Sequence, residues 1–102
     1  MSELVEQLER IRVLSEKQLE DPDENVYTIL AHTNEELGEF CTAICVEDGS
    51  NVKGYKTLDE SSEHEAIDVI ICALSLYYSR GGKTKDLHKT ITKKLNKWES
   101  KI

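Results

Sequence analysis

Two short acidic runs, Glu35-Glu36-Leu37-Gly38-Glu39 and Glu65-Ala66-Ile67-Asp68, interrupt stretches that are otherwise apolar with a helical period. Residues three apart on an α-helix lie within about 60° of each other and one turn apart, so Glu36 and Glu39 share a face, as do Glu65 and Asp68. Leu37, Phe40 and Ile44 flank the first pair and Ile67, Val69, Ile70 and Ile71 the second. The acids are thus set beside core positions rather than opposite them. Antiparallel packing of the two helices brings four carboxylates into one small volume, where their repulsion is severe unless a cation neutralises it. Hard divalent ions with oxygen ligands, Mg²⁺ or Mn²⁺, meet that need. An ordinary solvated acidic face is the competing reading, and the apolar neighbours speak against it.

The chain has 102 residues, the size of one domain. One proline, five glycines and 32% charged residues suit helices joined by short turns, so an all-α fold is expected. A net charge of −7 counts against general electrostatic attraction to nucleic acid or to an anionic membrane. No N-terminal basic region leads into an apolar one, and the longest apolar run, residues 69–78, is too short to span a bilayer. The expectation is a soluble, cytoplasmic protein. Cys41, Cys45 and Cys72 lie in apolar helix patterns without a CxxC spacing, which favours reduced thiols acting as small core residues over a zinc site completed by His64.

Periodicity predicts four helices. The first covers residues 2 to about 19, with Leu4, Leu8, Ile11 and Val13 or Leu14 as its apolar stripe. Asp21-Pro22-Asp23-Glu24 reads as the start of the second, with Asp21 as N-cap and Pro22 at the first helical position, running to about Val46. Residues 47–58 read as a loop; its Asp48-Gly49-Ser50-Asn51 opening is no EF-hand, because Lys53 and Asp59 stand where that loop needs glycine and glutamate. Thr57 with Glu60, or Ser62 with Glu65, can cap the third helix, which stops at Gly81-Gly82. Its apolar residues, Ile67, Ile71, Leu74 and Tyr78 among them, occupy nearly the whole circumference, which predicts a homodimer or homotetramer. Thr84 caps the last helix, where Leu87, Ile91, Leu95 and Trp98 form a core stripe among lysines.

The pattern Glu-Glu-x-x-Glu, a gap, then Glu-x-x-Asp resembles the signature of the MazG-like all-α nucleoside triphosphate pyrophosphohydrolases, over residues 26–98. That resemblance implies a four-helix MazG-like bundle, completed by association of subunits. It implies Mg²⁺-dependent hydrolysis of a ribo- or deoxynucleoside triphosphate to the monophosphate and pyrophosphate. By motif position the metal ligands are Glu36, Glu39, Glu65 and Asp68. Glu35, about 100° around the helix from Glu36, is then better placed to orient or deprotonate the attacking water. His32 stands where members often carry a lysine, and Lys94 and Lys97 fall in a basic-aromatic pattern, with Lys94 in place of the usual asparagine; these three are the candidate substrate contacts.

A second class of reading is a non-enzymatic acidic helical module that binds a basic partner. It predicts no saturable Mg²⁺ binding and no nucleotide turnover. A di-iron carboxylate centre is excluded by motif, since none of His32, His64 and His88 has an acid three residues before it.

Overall fold

The computed structural model describes residues 2–49 and 61–102. In them the chain forms four helices and no strand: α1, Glu3–Gln18; α2, Val26–Glu47; α3, Ser62–Ser79; and α4, Thr84–Glu99. Ser2 caps α1 by accepting from the Val5 amide at 3.2 Å, and Glu3 and Glu6 in the first turn with Lys17 in the last complement the helix dipole.

The second helix starts later than Asp21-Pro22 suggests. Asp21 turns its carboxylate onto the Asp23 amide at 2.9 Å, closing a local turn around Pro22 instead of capping a helix. Asn25 takes the cap: its side chain accepts from the amides of Tyr27 (2.8 Å) and Thr28 (3.2 Å), while the Thr28 hydroxyl accepts from the Asn25 amide (2.9 Å). That reciprocal pair satisfies three amides that the helix itself leaves without a partner. Asn25→Ala is therefore expected to lower stability by about 1 kcal/mol, read as a lower midpoint in urea with an unchanged slope.

The start of α3 also differs. Ser61, not Ser62, is the N-cap, accepting from the His64 amide at 3.4 Å; Thr57 and Glu60 lie outside the described residues. Glu47, the last residue of α2, accepts from the Ser62 amide through both oxygens at 3.0 and 3.2 Å, and these bonds with Ser62 hold its carboxyl below the usual range. One carboxylate thus joins the end of α2 to the start of α3. At the other end Gly81 adopts φ +90°, and the Tyr77 hydroxyl, donating to the Lys83 carbonyl (2.9 Å) and accepting from its amide (3.1 Å), fixes the turn into α4. Thr84 is the first helical residue of α4 and not its cap, because its hydroxyl is engaged by that of Tyr78 at 2.8 Å; Lys83 stands at the cap position without a side-chain bond.

The helices pack in a row rather than a closed bundle. Among the described residues α2 lies along α3, α3 also takes α1, and α1 alone touches α4. The Ser15 and Ser75 hydroxyls meet at 2.8 Å where α1 crosses α3. An open row leaves little inside: of the apolar residues described, only Ile29, Ala43 and Tyr78 are buried. Three expectations fail for that reason. The α1 stripe is half-open, with Leu4, Val13 and Leu14 exposed; Trp98, expected in a core stripe, is 64% exposed; and Tyr78, expected at a subunit surface, is buried within the chain. Ile67 and Ile71 do remain exposed, together with Ile70. The cysteines are free, but Cys41 is exposed rather than a core residue. No helix among the described residues is long and apolar enough to cross a membrane.

Candidate metal centre

Antiparallel packing of α2 on α3 brings Glu36 opposite Glu65 and Asp68. One carboxylate oxygen from each lies within 4.8 Å of the other two. Glu65 is buried, the Glu36 side chain is 14% exposed and Asp68 is half-buried, so these charges sit in the helix interface and not on a solvated face. Glu36 Oε2 is shielded from solvent and has no hydrogen-bond partner. Burial above all, then the charges of Glu39 and Asp68, raises the Glu36 pKa above its ordinary value, and His32 pulls it partly back. An acid so placed is destabilised when ionised, and a cation relieves it.

The donor set fits a hard cation. Oxygens around one Mg²⁺ at about 2.0–2.1 Å lie about 2.9 Å apart when adjacent and about 4.2 Å apart when opposite, so a triad whose oxygens lie within 4.8 Å of one another draws in to close around an ion. All three donors are carboxylates, the ligand type preferred by Mg²⁺ and Mn²⁺.

Neither a family model, nor a curated protein, nor a solved structure matches this chain. Its own residues carry the chemistry.

Of the sequence-predicted site residues, Glu36, Glu65 and Asp68 converge. Glu39 is not among the three whose oxygens lie within 4.8 Å of one another; it is exposed one turn beyond Glu36 and acts on the Glu36 carboxyl by its charge and by a side-chain hydrogen bond. Glu35 is at the rim, 73% exposed, and His32 bridges the two acids, with Nδ1 3.8 Å from Glu35 Oε2 and Nε2 3.6 Å from Glu36 Oε1. Lys94 and Lys97 are exposed on α4, which packs against neither α2 nor α3, so helix packing within the chain does not bring them to the acids.

Cys72 is the neighbour that motif reading passed over. It follows Asp68 by one helical turn on the same face of α3, and burial, then the charges of Glu36 and Asp68, raises its thiol pKa. The i,i+4 spacing was the available signal. Held as a neutral thiol, Cys72 adds no charge beside Glu36 and Asp68.

Proposed function

We propose that this chain is a nucleoside triphosphate pyrophosphohydrolase, with Glu36, Glu65 and Asp68 as the core of a Mg²⁺ site and Glu39 as a further ligand from its rim. The observation that carries the reading is the buried meeting of three motif carboxylates from two helices, with one Glu36 oxygen shielded and without a partner. When bound, Mg²⁺ (or Mn²⁺) neutralises these carboxylates, screens the triphosphate and makes a water more acidic. The chain's own groups do the rest. Glu35 at the rim accepts a proton from the attacking water, and His32, in reach of Glu35 and Glu36, orients both carboxylates. Water adds to the α-phosphorus, the bond from that phosphorus to the α,β-bridging oxygen breaks, and pyrophosphate leaves with the electron pair.

A panel of ribo- and deoxynucleoside triphosphates incubated with Mg²⁺ in ¹⁸O-labelled water tests this directly. Monophosphate and pyrophosphate are expected in equal amounts, with the label on the monophosphate and no turnover in chelator. Orthophosphate as the first product, label only in pyrophosphate, or turnover that survives chelation would each defeat the assignment. No turnover of any nucleotide and no saturable Mg²⁺ binding would return the protein to the acidic interaction module.

A further inference from the structure

The charge of this chain is not spread evenly. Residues 83–102 hold seven lysines against Asp86 and Glu99, a net +5, whereas residues 1–82 sum to −12. Among the described residues none of those lysines pairs with an acid. Four of them, Lys85, Lys89, Lys93 and Lys97, follow one another every fourth residue of α4, the spacing at which like charges on a helix repel. In projection down the helix Leu87, Ile91, Leu95 and Trp98 fall within about 80° of one another, and these four lysines within about 120° on the other side. Ile91, Leu95 and Trp98 are 50, 51 and 64% exposed, and every residue from 88 to 102 is exposed. The helix touches α1 alone, so no other described helix covers the stripe.

We propose that α4 lies along an anionic lipid surface, with the stripe from Leu87 to Trp98 dipping between the headgroups and the lysines held in the phosphate layer. A narrow apolar stripe, a lysine-rich remainder and too little apolar length to cross are the attributes of helices that rest in a membrane interface. Trp98 is the side-chain type that settles at that boundary, its ring apolar and its indole N–H polar. Lys94 borders the stripe, about 20° around the helix from Leu87, where its methylenes can lie against acyl chains while the ammonium stays among phosphates. The net charge of −7 does not oppose this, because salt confines the reach of each charge to about 8 Å and the surface responds to the helix that touches it. A second copy offers the stripe no matching seat. The open groove between α2 and α3 that holds Tyr27 and Leu30 has Arg80 as its one charged residue, of the same sign as the lysines. Anionic lipid supplies both the opposite charge and a yielding apolar layer.

The proposal needs no nucleotide chemistry, so it stands or falls apart from hydrolysis. The full chain is expected to sediment with vesicles of phosphatidylcholine and phosphatidylserine at least about tenfold better than with phosphatidylcholine alone, and to be released by high salt. Trp98, the only tryptophan, should shift its emission to shorter wavelength on binding and be quenched by brominated acyl chains. Lys89→Glu/Lys93→Glu should weaken binding at least about tenfold, whereas Arg10→Glu/Lys17→Glu, the same change of net charge on exposed residues of α1, should leave it unchanged. Absence of binding to phosphatidylserine vesicles overturns the proposal, as does equal binding to both kinds. So does a Trp98 that brominated lipid fails to quench, or one that responds as strongly to soluble poly-glutamate. A Trp98 shielded from acrylamide before vesicles are added would overturn it too, by placing the stripe in a contact between proteins. Should the lysine variant fail to fold, the quenching of Trp98 in the unaltered protein decides.

Discussion

Glu36→Gln is expected to reduce Mg²⁺-dependent turnover by at least about a hundredfold, since even groups that only support a metal ligand are worth about 10–100-fold. The same change should make the metal-free protein more stable at pH 7. Burial and the charges of Glu39 and Asp68 hold the Glu36 pKa above its unfolded value, so the native state keeps this proton more tightly than the unfolded chain does. Between the ordinary carboxylate range and the raised value the native state therefore binds more protons, and stability falls as pH rises through that window. Above the raised value the full penalty of an ionised Glu36 is present. Glutamine removes the charge and the penalty together. In chelator at pH 7, Glu36→Gln should melt on the order of 2–5 °C above wild type. The gap should shrink as pH is lowered toward 5, and Mg²⁺ should stabilise wild type but not the variant. Full turnover by Glu36→Gln would remove the metal assignment; a variant that melts lower than wild type at pH 7 without metal would make Glu36 a structural residue.

The second large effect is on the small core. Ile29 is 4% exposed and lies on the α2 face toward α3, so Ile29→Ala both removes buried methyls and leaves a cavity, a loss of about 2–5 kcal/mol. Against a total stability of roughly 5–15 kcal/mol this is severe, and the melting temperature should fall by about 10 °C or more. Leu30, the next residue, is 50% exposed in the isolated chain. Leu30→Ala should therefore be mild, costing about 1 kcal/mol or less. Thermal melts of both variants separate these cases. An Ile29→Ala protein no weaker than Leu30→Ala in dilute solution would show that the α2–α3 interface is packed otherwise.

Helical period and turn residues were enough to find four helices and to place α1, the end of α3 and the start of α4 within a residue or two. The start of α2 was not legible in the same way, because Asp21 and Asn25 are both good caps. Their competition was decided by which side chain the local turn consumes: Asp21 bonds the Asp23 amide, which leaves Asn25 to face Tyr27 and Thr28. For the site, motif spacing identified the two helices and all three carboxylates that meet. It did not rank Glu39 against Glu36, since residues three apart share a face only to within about 60°, and the crossing of two helices buries one and leaves the other exposed.

What the sequence determined by itself is local: the i,i+3 pairing of acids and the apolar period of each helix. The tertiary structure decided which of these faces meet. Three carboxylates converge because α2 packs on α3, and Lys94 and Lys97 stay away because α4 packs on α1 alone. The physical reason is that spacing fixes where a side chain lies on its own helix, whereas the choice of neighbour is set by apolar area summed over whole faces, to which no single position is decisive.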